Sequence, residues 1–326
     1  MKPILIVSGN GDAHAEHMQK ILVAKSIPHF LFPTDKYPYD AMITFDSSKG
    51  NLLGYDRQVV SLTQEWSIWN RRIFPPTFPE FFPKNLEEMV VEESKRTLQG
   101  LMITHRGLVV NNPFDNHKAS NKIEQLQRAR EIGLVVPSTI ITNDPEEASK
   151  FYEIHHGEVI FKMQKLPIIQ GDDKTSRTIM TTRVLSQEFY ENVERIRNNP
   201  CCFQERIDKS YEIRLTVIGE RLLPIAIYSQ SSERSKDDFR RYDFENVKYK
   251  LVNIPDDVAA KVLELTRQYH LHYAAIDLIC TPHGNHVFLE VNPNGQYLWT
   301  EEMSGVPITE AFVNYLANSE PRSFES

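Results

Sequence analysis

Ala275-Ile-Asp-Leu-Ile-Cys-Thr-Pro-His-Gly-Asn-His-Val-Phe-Leu-Glu-Val-Asn292 consists of two apolar runs flanking the turn-prone residues Pro282 to Asn285. That pattern predicts a β-hairpin. A turn centred between His283 and Gly284 sets Asp277 opposite Glu290. Side chains alternate along a strand, so Asn292 shares the face of Glu290, and two carboxylates and an amide oxygen converge. Facing carboxylates repel unless something positive lies between them. A hard, oxygen-seeking ion, Mg²⁺ or Mn²⁺, meets that need and leaves coordination positions for phosphates. The bland alternative is a solvated acidic edge.

Upstream, Gln204-Glu-Arg-Ile207 precedes Tyr211-Glu-Ile-Arg-Leu-Thr-Val-Ile-Gly219. In the second stretch Ile213, Leu215 and Val217 predict a core face, and Glu212, Arg214 and Thr216 a wet one. An arginine beside a carboxylate-bearing sheet is suited to grip a phosphate or a developing oxyanion. Lys122 opens a helix predicted over 120–132, and Lys162 ends an apolar strand where a lysine must otherwise snorkel. Taken singly, either lysine reads as a solvated side chain.

The rest of the chain frames these residues. Ile4-Leu-Ile-Val7, the turn Gly9-Asn-Gly11 and the helical pattern through Met18 and Leu22 form a strand–helix–strand opening, so the fold class is α/β shading into α+β. Gly9-x-Gly11 lacks a third glycine and reads as a simple turn. Phe74-Pro-Pro-Thr-Phe-Pro79 is a rigid loop, and Asn85 is a candidate helix cap. Boundaries near 115 and 202 divide the chain into an N-terminal α/β domain (1–115), a central domain (116–202) and a strand-rich C-terminal domain (203–318), with a flexible tail over 319–326. A polar, mobile-looking segment spans Gln170 to Arg177, and a helix is predicted from Ser186 to Arg197.

Composition narrows the functional classes. Among 326 residues, 44 acidic side chains outnumber 37 basic ones, for a net charge of −7. The whole protein is therefore a poor candidate for coating nucleic acid or a charged membrane. No apolar run reaches spanning length and no signal-peptide pattern opens the chain, so a cytoplasmic enzyme is expected. Three cysteines, Cys201, Cys202 and Cys280, show neither disulfide-framework nor zinc-ligand spacing.

The ordered set Asn121-Lys122, Lys162, Gln204-Glu205, Glu212, Arg214, Asp277, Glu290 and Asn292 resembles the ATP-grasp superfamily of carboxylate-amine ligases over roughly residues 115 to 300. The Glu205–Glu212 and Asp277–Glu290 spacings and the Glu-x-Asn ending are similar to the D-alanine–D-alanine ligase and ribosomal-protein glutamate-ligase branches. This resemblance implies an ATP-grasp fold behind a pre-ATP-grasp domain. It implies that Lys122 and Lys162 contact ATP, that Gln204, Glu205, Arg206 and Ile207 form the adenine hinge, and that Glu212 holds the ribose. Asp277, Glu290 and Asn292 would bind Mg²⁺. The segment Gln164 to Arg177, with Gly171 alone, departs from the glycine-rich phosphate loop of many members.

Over most of its length the chain resembles one subgroup, the graspetide macrocyclases of microviridin and plesiocin type. The text that carries this is Ser67-Ile-Trp-Asn-Arg-Arg72, Glu92-Glu-Ser-Lys-Arg96, Gln125 to Pro137 and Glu290-Val-Asn-Pro-Asn-Gly-Gln-Tyr-Leu-Trp299. The resemblance implies a precursor peptide partner whose leader docks on the central domain, where the helix over 186–197 with Glu191 and Glu194 is either a leader contact or a solvated mixed-charge face, and Arg71 and Arg72 are candidates to meet the core's carboxylates. The core's Asp or Glu side chains would be activated as acyl phosphates and joined to Thr or Ser hydroxyls or Lys amines, with Arg214 stabilising the reacting oxygens. A homodimer is a further expectation. Competing readings are a ligase that adds amino acids to a small acid or protein tail, and a nucleotide-binding regulatory module without turnover.

Overall fold

The computed structural model describes residues 1–164, 168–170, 176–178, 182–231 and 247–319. Strand β1 (Ile4–Ser8), helix α1 (Ala13–Ala24) and strand β2 (His29–Pro33) open the chain. β1 is buried end to end, as expected of a parallel strand covered on both faces. Asp12 caps α1 by accepting from the His14 and Ala15 N–H groups. Strands β3 (Ala41–Asp46), β4 (Gly50–Tyr55) and β5 (Gln58–Leu62) form a separate antiparallel sheet. β6 (Ser67–Asn70), α2 (Lys84–Thr104) and β7 (Val109–Val110) then return to the first sheet, whose parallel order is β2-β1-β6-β7. α2 starts directly after Pro83, so Asn85 lies inside the helix and does not cap it.

Helix α3 (Pro113–Ala119) leads into α4 (Lys122–Glu131), capped by the Asn121 side chain. The central sheet follows: β8 (Thr139–Thr142), α5 (Pro145–Ile154), β9 (Val159–Lys162), the short pair β10 (Ile168–Gln170) and β11 (Ser176–Thr178), β12 (Thr182–Arg183), α6 (Ser186–Asn192) and β13 (Cys201–Glu205). Its order is β12-β9-β13-β8. The helix predicted to Arg197 tightens into a 3₁₀ turn at Val193. The two ends of the segment predicted as a mobile loop pair as β10 and β11, and its interior, 171–175, lies outside the described residues. β13 straddles the expected division at 202, and its ladders to β8 and β9 keep it within the central sheet.

The C-terminal domain contains β14 (Tyr211–Ile218), β15 (Arg221–Ile227), β16 (Tyr249–Leu251), α7 (Asp256–Gln268), β17 (Tyr273–Cys280), β18 (His286–Asn292), α8 (Leu298–Ser304) and α9 (Ile308–Asn318). Five antiparallel strands run in the order β16-β15-β14-β17-β18. One face, with Ile213, Leu215, Ile276 and Leu278, packs on Ala129 of α4 and Val262 and Leu265 of α7. At the end of the other face, Ile218 and Ile225 share a core with Ile4 and Ile6 of β1 and Phe312 and Leu316 of α9. The expected tail, from 320 onward, lies outside the described residues.

That second face is where the sequence reading needs correcting. Glu212, Arg214 and Thr216 are 4%, 6% and 0% exposed, so the face predicted to be wet is buried. Helix α9 and the N-terminal sheet cover its Ile218 end, the turn that follows β18 covers Arg214, and Lys209 and Ser229 enclose Glu212. A polar seam joins these parts. Asn111, wholly buried, accepts from the His272 and Tyr273 N–H groups through Oδ1 and donates through Nδ2 to the Tyr273 and Pro293 carbonyls, at 2.8–3.0 Å.

His14 belongs to the same seam. Its Nε2 accepts from the Tyr297 and Leu298 N–H groups, each at 3.2 Å, so the ring is needed in its neutral form. Burial, and then the Arg71 guanidinium, hold its pKa down to about 4 from 6.5. As pH falls from 6.5 towards 4, the unfolded chain binds a proton that the folded protein refuses. About 3 kcal/mol of stability, present above that window, is therefore lost across it. Thermal midpoints followed against pH should show this acid limb in the wild type and a flatter one in His14→Gln.

Candidate active site

Three neighbouring strands present the core of the site. Arg214 on β14 pairs in register with Asp277 on β17, which pairs with Glu290 on β18, so one arginine and two carboxylates form a row across the sheet. Thr216, Ala275 and Asn292 form the next row on the same face. Arg214 Nη1 donates to Asp277 Oδ1 at 2.8 Å, and Lys122 Nζ donates to Glu290 Oε2 at 2.5 Å. Each facing carboxylate thus has its own cation, so the repulsion inferred from sequence is already relieved by side chains. Asn292 Nδ2 donates to Glu290 Oε1 at 3.1 Å, which leaves Oδ1 as the amide's acceptor.

The donor set fits a hard divalent cation. Asp277, Glu290 and Asn292 offer oxygens alone, the chemistry that Mg²⁺ selects. Among the described residues no three His, Cys, Asp or Glu side chains converge. A cation held by two carboxylates and an amide would still need outside oxygens from water or phosphate.

β18 is held from both sides. Gln125, 3% exposed on α4, accepts from the Val291 N–H at 3.0 Å and donates to the Val291 carbonyl at 2.9 Å, standing in for a neighbouring strand. After β18 the chain turns back over Arg214, whose Nη2 donates to the Gln296 carbonyl at 2.9 Å. Gly295 allows this approach, because a Cβ there would lie 2.4 Å from Ala275 Cβ and 2.7 Å from Arg214 Nη2.

The other expected nucleotide contacts line the junction of the two sheets. Cys202 on β13 faces Lys162 in register, and both Lys162 and Lys122 lie near enough to pull against the burial that raises its thiol pKa. Gln204 Nε2 donates to Thr139 Oγ1 at 2.9 Å. Glu205 accepts from the Ser138 N–H, and the Arg206 N–H donates to the Glu158 carbonyl, so the hinge is anchored on either side. Glu212 is enclosed: Lys209 Nζ donates to Oε1 at 2.6 Å and the Ser229 hydroxyl donates to Oε2. Burial pushes its carboxyl pKa up, with Lys209 as the main opposing charge.

The four outlying candidates are dispersed. Arg71 is 4% exposed and donates to Asp12 Oδ1 and the Asn294 carbonyl inside the seam, which takes it away from any open cleft. Arg72 is exposed, with its guanidinium over the Phe74 ring. Glu191 and Glu194 are exposed and accept from Gln187 and Arg197. Beside α6 is a cavity of about 460 Å³ whose lining includes Tyr152, His156, Arg183, Leu185 and Tyr190.

Residues 3–118 match the MvdD pre-ATP grasp domain, and residues 119–316 match the RimK-like ATP-grasp domain. The chain belongs to the RimK-like ATP-grasp family. No curated protein matches it. Among solved structures, this ATP-grasp ligase is similar to the macrocyclase MdnC of Microcystis aeruginosa MRC, bound with precursor peptide MdnA: 28% identity, TM-score 0.86, 97% of this chain and 100% of that one. It is also similar to a Chryseobacterium gregarium RiPP-associated ATP-grasp ligase in complex with ADP and a leader and core peptide: 26% identity, TM-score 0.89, the whole of both chains. PsnB, complexed with a phosphomimetic minimal precursor variant, Mg and ADP, is 19% identical at a TM-score of 0.76 over 97% and 98% of the two chains and supports the fold alone. No helix among the described residues of the ligase is long and apolar enough to cross a membrane.

Sequence reasoning passed over Asn111, Gln125 as a clamp, Lys209, Ser229 and Gly295. Gln125 and Gly295 stood inside stretches quoted for the family resemblance, but their partners, Val291 and Arg214, are remote in sequence.

Proposed function

We propose that this ATP-grasp ligase is a graspetide macrocyclase, which activates Asp or Glu side chains of a ribosomal precursor peptide and joins them to Thr or Ser hydroxyls as ω-esters or to Lys amines as ω-amides. The observation that carries the reading is the Arg214–Asp277–Glu290 row, flanked by Asn292 and Lys122. Full-length likeness to two ligases solved with precursor, or with leader and core peptides, supports the substrate class.

In this reading Lys122 and Lys162 bind phosphates, Gln204 to Ile207 receive adenine, and Glu212 receives the ribose hydroxyls. The substrate carboxylate attacks the γ-phosphorus of ATP, ADP leaves, and an acyl phosphate forms. A hydroxyl or amine then attacks the acyl carbon and expels phosphate, with Arg214 donating to the oxygen that gains charge. Mg²⁺ held by Asp277, Glu290 and Asn292 would supply charge neutralisation at the transferring phosphoryl group. The cavity beside α6, with Glu191 and Glu194 on its helix and the turn beyond, is the candidate leader site, and exposed Arg72 remains the candidate for core carboxylates. Cytoplasmic residence, a homodimer and a domain division near 115 belong to the same proposal.

Incubation with ATP, Mg²⁺ and a precursor whose core is rich in Thr and Glu tests it by mass. Loss of one or more waters is the expected result. Gain of an amino-acid mass would support the tail-adding ligase instead, and no phosphate release with any peptide would support a non-catalytic nucleotide module.

A further inference from the structure

The turn that follows β18 is gripped at every peptide from Pro293 to Leu298. Its successive carbonyls are each taken by a side chain: Pro293 by Asn111 Nδ2 at 2.9 Å, Asn294 by Arg71 Nη1 at 3.0 Å, Gly295 by the Tyr273 hydroxyl at 2.6 Å and Gln296 by Arg214 Nη2 at 2.9 Å. The next two N–H groups, of Tyr297 and Leu298, donate to His14 Nε2. Three of these five side chains, Asn111, Arg71 and His14, come from the N-terminal domain. Of the other two, Tyr273 is on β17 and Arg214 sits in the row with the site's carboxylates.

The N-terminal side of the grip is itself braced. Asp12 Oδ1 accepts from the His14 and Ala15 N–H groups and from Arg71 Nε at 3.4 Å. With Nε2 accepting, His14 Nδ1 carries the ring proton, so Arg71 Nη2, 3.2 Å away, is a neighbour and not its hydrogen-bond partner. Asp12, His14 and Arg71 are 8%, 8% and 4% exposed, so water competes little for these bonds. The Gly9-x-Gly11 turn, which the sequence left without chemistry, thus delivers Asp12 and His14 to this brace.

We propose that Arg71 and His14 are positioning residues for the acyl-transfer step: through the Pro293–Leu298 turn, the N-terminal domain fixes the carbonyl on which the Arg214 guanidinium is aimed. This rests on the catalytic role given to Arg214 above. The contacts of Arg214 include Asp277 Oδ1 and the Gln296 carbonyl. Releasing the second removes one of the contacts that orient the guanidinium. A misplacement of about 1 Å at a reacting centre can cost about a hundredfold in rate. The side chains that grip the turn, Asn111, Arg71, Tyr273, Arg214 and His14, all lie outside the expected nucleotide hinge at Gln204 to Ile207, so nucleotide affinity is not predicted to follow.

The test is steady-state kinetics of precursor dehydration with Arg71→Met, His14→Leu, His14→Gln and the mild variant Tyr273→Phe, each checked by its thermal midpoint. Arg71→Met and His14→Leu should lower kcat by about tenfold or more, with KM for ATP changed by less than about twofold. Glutamine places an acceptor oxygen near the position of Nε2, so His14→Gln should recover most of the rate. In an Arg214→Lys background, Arg71→Met should cause little further loss, because the group it positions is already gone. The full loss repeated in that background, an effect on KM for ATP alone, or His14→Gln as defective as His14→Leu would overturn the proposal. Where Arg71→Met fails to fold, Tyr273→Phe decides, since it removes one hydroxyl from the grip: lowered kcat at unchanged KM supports the role, and wild-type kcat contradicts it. A wild type that removes no water would sink the macrocyclase reading as well, whereas an active wild type with indifferent variants sinks the positioning role alone.

Discussion

Asp277→Asn is expected to reduce ligation by about a thousandfold or more while precursor binding stays near that of the wild type. The magnitude follows from two losses at one atom. Asn keeps the shape and one acceptor for Arg214 Nη1 but removes the charge that balances a buried guanidinium and would hold a divalent cation. Asp277 is 3% exposed, so water cannot replace the missing charge. Glu290→Gln should behave in the same direction, because it weakens the Lys122 ion pair as well as the oxygen set. Product mass after single-turnover incubation, with fluorescence anisotropy of a labelled precursor for binding, checks both variants. Wild-type ligation in either would contradict the role of the hairpin carboxylates.

Arg214→Ala is expected to lower turnover by about 10²–10³-fold and ATP affinity far less. The side chain is 6% exposed and its fixed donors reach Asp277 and the Gln296 carbonyl, a pre-oriented arrangement that costs no reorganisation when an oxygen gains charge nearby. Loss of the guanidinium also leaves Asp277 without its 2.8 Å partner, so the thermal midpoint should fall too. Parallel determination of kcat and of KM for ATP distinguishes the roles: comparable losses in both would move Arg214 from the chemistry to nucleotide binding.

The hairpin was legible because a strand's period of two and a turn signal are local. Asp277 does pair with Glu290, yet the turn centres on His283, since Cys280 pairs with His286. A bulge adds Leu289 between Phe288 and Glu290 and restores the expected partner. Two offsets of one residue therefore cancelled at the site. What was not legible depends on distant cover. Alternation could show that Glu212, Arg214 and Thr216 share a face, but not that α9, the N-terminal sheet and the Pro293–Leu298 turn would bury it. Arg71 looked like a surface cation meeting a peptide carboxylate, whereas its partner carbonyl lies 223 residues away in sequence. No local period encodes such a contact. Caps are local contacts, as at Asn121 and Asp144, which accept from N–H groups of their own first turns, yet Asn85, the candidate offered by the sequence, lies inside α2 because the helix starts directly after Pro83.

Anomalous scattering from crystals grown with Mn²⁺ and ADP is the most direct measurement of whether the β17–β18 ribbon is a metal–nucleotide site. The arrangement predicts a peak within coordinating distance of Asp277, Glu290 and Asn292 oxygens and in contact with the diphosphate. A diphosphate bound elsewhere, or a Mn²⁺ peak beside it that touches none of these three side chains, would contradict it.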